Sequence, residues 1–306
     1  MTVGFDFREA VIKYPHHAYH DEMRTLVVTR IITDSTSDIR PAEWEKHGVS
    51  VLPLSVNFGE KSFLDGVDLT NDVFFEMLEK AERLPTTSQI NPDTFSRVFQ
   101  EHMVAGDDVV GIFISSKLSG TYNSALVAAQ EVDPKKIFVV DSKIGTFGLA
   151  IIVREAVKMR DAGLGASEIA DNLQKLILRV RLVAMVDTLK YLRMGGRISA
   201  TSAIVGSILG IRPMVDVMDG TIHNVGKVRG KLPAMQFILK YLNTHPLDTG
   251  LSFSLGHSNT RQDCNDLQEF LKAHLPVDNA FIGEIGTVIG TYIGSGAFGI
   301  AYFEKE

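Results

Sequence analysis

From residue 26 onward the chain alternates two kinds of hydrophobic pattern. Continuous apolar runs at 26–28 with 30–32, at 109–114 and at 137–140 read as strands. Unbroken apolarity, as opposed to strict alternation, marks strands covered on both faces of a parallel sheet. Between these runs apolar residues recur at helical spacing. Thr70 can cap a helix with Phe74, Met77, Leu78 and Ala81 on one face. Asn91 followed by Pro92 opens a second, with Phe95, Val98, Phe99 and Met103 on one stripe, and residues 122–132 continue as a third. Strands separated by helices of this length imply βαβ units. After a further stripe (Ile169, Leu173, Leu176, Ile177, Val180) the texture turns to short strands and glycines at 182–186, 214–217, 220–222, 251–255, 281–285 and 299–303. The pattern predicts an α/β protein of two domains. A Rossmann-like parallel sheet with flanking helices spans 27–160 and an α+β domain spans 161–306. Residues 1–26, with His16, His17 and His20, read as a surface appendage, since a zinc site would need a fourth ligand and a repeated spacing.

Composition narrows the classes. With 306 residues, 45% hydrophobic and 22% charged, the chain is an ordinary globular sequence long enough for a large core. A single cysteine, Cys264, excludes a disulfide framework and a cysteine-rich metal site. The net charge of −6 and the single tryptophan argue against a nucleic-acid groove. No apolar run approaches the ~18 residues of a membrane span. The acidic Asp6 and Glu9 do not suit a signal peptide. The expectation is a cytoplasmic protein with peripheral or no membrane contact.

Candidate chemistry is concentrated in hydroxyl-rich segments. Residues 115–122 (SSKLSGTY) lie between a buried strand and a helix, where a parallel sheet presents its ligand sites and the helix N-terminus favours an anion. Ser119 could equally be no more than the cap of that helix. Thr86, Thr87 and Ser88 precede another helix, and Asp34 to Thr36 and Asp141 with Ser142 end further strands. Four such clusters are expected to converge on one sheet edge and to favour a small oxyanion. The GxGxxG match at Gly294, Gly296 and Gly299 lacks the following helix and acid of a dinucleotide site, and reads as a glycine turn between two strands. No GxxxxGK[ST], HExxH or GxSxG signature occurs. Between Leu189 and Lys231 seven basic residues face two acidic ones, in a chain that is acidic overall. That stretch is either a solvated face or a docking surface for an acidic partner.

The ordered set of segments resembles the DegV family of fatty-acid-binding carrier proteins. The resemblance rests on Thr33 to Asp38, Val51 to Ser55, Thr87-Ser88-Gln89, Ser115 to Tyr122 and Val140-Asp141-Ser142. It continues through Leu189 to Ser199, which includes Gly195-Gly196-Arg197-Ile198-Ser199, then Gly210 to Pro213 and Val288 to Gly299. It implies one long-chain fatty acid buried between the two domains as the only ligand, with no other cofactor. Its carboxylate would be held by Thr87 and Ser119, with Ser88 and Gly120 beside them. Arg197 is implied to belong to the same neighbourhood or to the partner-facing surface. The partner implied is an ATP-dependent fatty acid kinase, docked on the basic stretch that includes Arg193, Lys227 and Arg229; the chain itself would not be an enzyme. The family places a histidine where this sequence has Tyr292, which donates a hydrogen bond but cannot become a cation near neutral pH. The rival reading is an enzyme acting on a small phosphorylated or sugar-like substrate at the strand-end hydroxyls. An apolar tunnel behind Ser119 would favour the lipid, and a wide polar cleft the enzyme.

Overall fold

The computed structural model describes residues 28–40, 44–198, 210–277 and 280–306. The histidines of the N-terminal extension, and Ser199, lie outside the described residues. The chain first forms β1 (Thr29–Asp34), β2 (Val49–Leu52), a hairpin of β3 (Ser55–Phe58) and β4 (Lys61–Leu64), α1 (Asn71–Lys80) and the short β5 (Thr86–Ser88). There follow α2 (Pro92–Ala105), β6 (Asp108–Phe113), α3 (Thr121–Val132), β7 (Ile137–Asp141), α4 (Thr146–Asp161) and α5 (Ala166–Ile177). The second half contains β8 (Val180–Met185), the short α6 (Lys190–Met194), β9 (Ile211–Met218), β10 (Thr221–Arg229) and α7 (Lys231–Thr244). It closes with β11 (Ser254–Ser258), α8 (Arg261–Lys272), β12 (Phe281–Glu284), α9 (Thr287–Ile293) and β13 (Ala297–Phe303).

The strands β2-β1-β6-β7 form a parallel sheet in that order, as the buried apolar runs require. Alternate residues of β1 and β6 feed two cores. Ile32, Val109 and Phe113 join Phe95, Phe99 and Ala125 of α2 and α3, while Ile31, Val110 and Ile112 join Ile151 and Leu173 of α4 and α5. Local signals account for the helix ends. The Asn91 side chain accepts from the Thr94 N–H at 2.8 Å, Pro92 opens α2, and Gly106 closes it at a left-handed φ of 82°. Thr70 occupies the N-cap of α1, but its hydroxyl makes no capping bond.

The second sheet is mixed, in the order β10-β9-β8-β13-β11-β12, and α7 and α8 cover its outer face over Val183, Ile300 and Leu255. Helix α4 runs between the two sheets, contacting β1 and β6 on one side and β8, β11, β12 and β13 on the other. Eleven of its sixteen residues are buried, because a helix walled in by two sheets has no face left for polar groups. The fold is therefore α/β, with a Rossmann-like parallel sheet and a separate mixed sheet.

Three sequence expectations change. The run before Tyr292 reads as a strand for its β-branched residues, yet residues 287–293 are the helix α9. Carboxylates from the first half of the chain hold its start: Asp38 accepts from the Gly286 N–H at 2.8 Å and Asp65 from the Thr287 N–H at 3.0 Å. Tertiary caps override local propensity here. In consequence the glycines at 294 and 296 join a helix to a strand, not two strands. The hydroxyl clusters, finally, do not share one edge. Residues 86–88 form an edge strand of a separate antiparallel sheet, β4-β3-β5. Most strand-end hydroxyls of the parallel sheet are spent on the scaffold: Ser115 donates to the Gly220 carbonyl at 2.9 Å, Ser116 to Asp141 at 2.5 Å and Ser142 to the Ile144 carbonyl at 2.9 Å.

A polar pocket opening on an apolar cavity

Of the sequence-selected residues, Thr87, Ser119, Arg197 and Tyr292 line one pocket. Each arrives from a different element. Thr87 is the middle residue of β5, opposite Val56, so the strand pleat turns it inward while Thr86 and Ser88 stand exposed. Ser119 ends the turn between β6 and α3, where its own N–H and that of Leu118 bond to the Ser115 carbonyl at 3.0 and 2.9 Å. Its hydroxyl lies 3.0 Å from that of Thr121 and accepts from the Thr121 N–H at 3.3 Å, so it meets the first residue of α3 from just before the N-cap Gly120 while facing the pocket. The unpaired N–H groups of α3 add partial positive charge there.

Tyr292 stands on α9, with its hydroxyl 2.6 Å from that of Thr87. The Arg197 guanidinium carbon lies 4.7 Å from the centre of its ring, a cation–π geometry. Arg197 is anchored by its Nε on the Leu118 carbonyl at 3.3 Å and by a second bond to the Gly195 carbonyl. Any side chain at Gly195 would collide with the tyrosine ring, which explains the glycine. Tyrosine, threonine and arginine thus form one connected group. In the tyrosine's usual dilemma between water and a buried partner, the partner is the Thr87 hydroxyl. Tyr292→Phe is expected to cost about 1 kcal/mol of stability by removing that bond. Thr87→Val should cost as much, and the double variant no more than either alone. A double-mutant cycle in urea checks this, and additive losses would mean that the two hydroxyls are not coupled.

Ser88 and Gly120 do not line the pocket. Ser88 is exposed and accepts from the Asn57 amide at 3.0 Å. Gly120 serves a packing need, because a Cβ there would collide with the Gln89 side chain, whose amide donates to Ser124 at 2.9 Å. Gln89 thereby ties β5 to α3, and with them Thr87 to Ser119. Arg193 lies exposed on α6, and Lys227 and Arg229 lie exposed on β10. Two other members of the basic stretch are already paired, Arg212 with Asp187 and Lys231 with Asp263.

The residues that sequence reasoning missed are apolar. Leu118, Leu192, Ile222, Ile289 and Ile293 line both this pocket and a deeper cavity. The deeper walls, which include Leu182, Ala184 and Val217, are apolar apart from Thr146. The Thr146 hydroxyl is itself taken by Asp38. No periodicity separates such residues from ordinary core, since they come from five elements and a turn and their shared property is the space they surround. Among the described residues Arg197 is the one charged residue in the polar lining, so the arrangement offers a cation, two hydroxyls, a phenol and a helix N-terminus beside an apolar chamber. Among the described residues no group of His, Cys, Asp or Glu is placed to hold a metal ion, and no helix is long and apolar enough to cross a membrane.

Comparison with known proteins agrees in sequence and in shape. A family model described as "Uncharacterised protein, DegV family" matches residues 28–305. A DegV domain-containing protein of Caldanaerobacter subterraneus subsp. tengcongensis is 35% identical over 280 residues, covering 90% of this chain and 98% of its own length. Among solved structures, a DegV family protein from Thermus thermophilus, described for its fatty acid binding, superposes with a TM-score of 0.83 at 31% identity, over 91% of this chain and 100% of the other. A DegV fatty acid binding protein from Bacillus subtilis gives 0.80 at 30% identity, over 92% and 100%.

Proposed function

The chain belongs to the DegV family, and from that premise we propose that it binds one long-chain fatty acid between its two sheets and presents the carboxylate to an ATP-dependent fatty acid kinase. The observation that carries the reading is that the polar pocket and the apolar cavity adjoin, with five residues lining both. A carboxylate suits the polar pocket: Arg197 supplies charge, Ser119 and Thr87 supply hydroxyl donors, and the α3 N-terminus supplies its dipole. An alkyl tail suits the chamber. At ~0.8 kcal/mol per buried methylene, a sixteen-carbon chain contributes roughly 12 kcal/mol before entropic costs. The head group then has only to be satisfied by hydrogen bonds and oriented. The enzyme alternative is disfavoured by those apolar walls, and among the described residues the pocket lining holds no paired nucleophile and base.

Organic extraction of the purified protein, with native mass spectrometry, is expected to yield one acyl chain per protein. A preparation that carries none and takes up none when offered oleate or palmitate would overturn the reading. Ser119→Ala should reduce kinase-dependent acyl phosphorylation about tenfold or more while leaving binding within a few-fold, because the tail supplies the affinity and the head group the position. Equal turnover by Ser119→Ala and the parent would reduce Ser119 to a helix cap.

For the kinase, the exposed Arg193, Lys227 and Arg229 offer a basic face to an acidic partner surface. Rim charges act chiefly on association rate. Arg193→Glu combined with Lys227→Glu is expected to slow complex formation at low salt, with bound lipid unchanged. Association insensitive both to these reversals and to ionic strength would assign the residues to a solvated face.

A further inference from the structure

Phe147, the second residue of α4, lines the deep cavity but not the polar pocket, so it stands at the part of the chamber away from Thr87, Ser119 and Arg197. It is 2% exposed, and its carbonyl is fixed by the Ser254 hydroxyl at 2.9 Å. Facing it, one row of paired positions crosses the mixed sheet. Val215 of β9 pairs with Ala184 of β8, Ala184 with Gly299 of β13, Gly299 with Gly256 of β11, and Gly256 with Gly283 of β12. Paired positions share a face of the sheet. Ala184, Val215 and Gly256 line the cavity, so this row faces inward. Three neighbouring strands therefore present glycine side by side, leaving a trench where side chains would otherwise stand. The Phe147 ring lies in that trench. A Cβ at Gly256 would collide with the ring, and one at Gly283 would come within 3.1 Å of the Phe147 Cβ.

We propose that Phe147, seated on Gly256 and Gly283, is the stop of the acyl tunnel and sets the longest chain the protein accepts. The proposal rests on the fatty-acid reading of the cavity. A ring sunk into the trench leaves the chamber open up to the ring face, and a chain that reaches this face can go no further without moving it. Up to the stop, each additional buried methylene gains about fourfold in affinity. Beyond it, a methylene must displace a buried ring or remain unburied, and the gain ends. The glycines set how deep the ring sits: a methyl group at Gly256 would push it into the chamber and move the stop toward the polar pocket.

The test offers the full-length, delipidated protein an equimolar mixture of saturated fatty acids from about twelve to about twenty carbons and reads the bound set by native mass spectrometry. For the parent, the bound fraction should rise with chain length and then fall sharply. Phe147→Ala should shift the cut-off longer by two or more carbons, Phe147→Leu should shift it less in the same direction, and Gly256→Ala should shift it shorter. Should Phe147→Ala or Gly256→Ala fail to fold, the Phe147→Leu shift decides, since leucine keeps most of the packing. An unchanged cut-off in folded variants that each carry one fatty acid overturns the assignment of Phe147. A parent that takes up no fatty acid overturns the reading of the site instead.

Discussion

Asp65→Ala is expected to lower the free energy of unfolding by about 3–5 kcal/mol and to abolish the proposed fatty-acid binding, whereas Asp65→Asn should stay within about 1 kcal/mol of the parent. Asp65 is buried, and its carboxylate accepts from the Thr287 N–H at 3.0 Å and from the Thr287 hydroxyl at 2.7 Å. Alanine leaves that N–H and hydroxyl buried without partners, at about 1–3 kcal/mol each. It also frees the start of α9, the helix that carries Ile289 and Ile293 into the cavity and Tyr292 onto Thr87. Asparagine keeps one acceptor oxygen for Thr287. Urea unfolding of the three proteins, with extraction of bound lipid from each, checks the pair of effects. A ligand-loaded Asp65→Ala variant of parental stability would show that α9 holds its place without this carboxylate.

Stability should be highest on the acid side and should fall as pH rises from about 4 to about 6. Three carboxylates cluster where the turn after β1 meets the start of α9. Burial pushes Asp34 up from 3.8 to about 6, against hydrogen bonds from Thr36 and the Ile114 N–H, with the charge of Asp65 adding to the rise. Burial also raises Asp38 and Asp65, and the charges of Asp34 and Asp65 reinforce the rise at Asp38. A carboxyl whose folded pKa exceeds its unfolded value holds its proton more tightly in the fold. The stabilisation is full below the unfolded pKa and is lost as pH rises through the folded one. Asp34 alone accounts for about 3 kcal/mol over this window. Asp141 acts the other way: burial raises it, but hydrogen bonds from Lys143 and Ser116 outweigh burial and hold it below the ordinary carboxylate range. Its contribution fades only at lower pH. Thermal melts of delipidated protein between pH 4 and 8 should decline across the window, and Asp34→Asn should flatten the slope whatever it does to the height. A slope unchanged by Asp34→Asn would remove Asp34 from the account.

Much of the architecture is legible along the chain because the signals are local. The cap Asn91, the following Pro92 and the stripe of Phe95, Val98 and Phe99 define α2 without help from any distant residue. The unbroken apolar run of β6 announces burial on both faces, and the parallel sheet follows. Thr87, Ser119, Arg197 and Tyr292, which the family resemblance singles out from four separate segments, lie on one pocket. Ser88 was selected for its neighbour's reasons. Strand alternation, visible only once residues 86–88 are known to be a strand, turns its side chain away to Asn57.

The sequence by itself determined the α/β class, most of the order of elements and the lack of familiar catalytic signatures, because caps, periodicity and short motifs depend on neighbours a few residues apart. Tertiary structure alone decided the rest. The segment 287–293 becomes a helix because buried carboxylates 222 and 248 residues away satisfy its first N–H groups. Tyr292 finds its partner in Thr87, 205 residues distant, and not in solvent. The apolar chamber exists because α4 is held between two sheets, and its Phe147 ring is seated on glycines that only strand register aligns. Hydrogen-bond satisfaction and the shape of empty space are properties of the packed whole, and no window of the chain contains them.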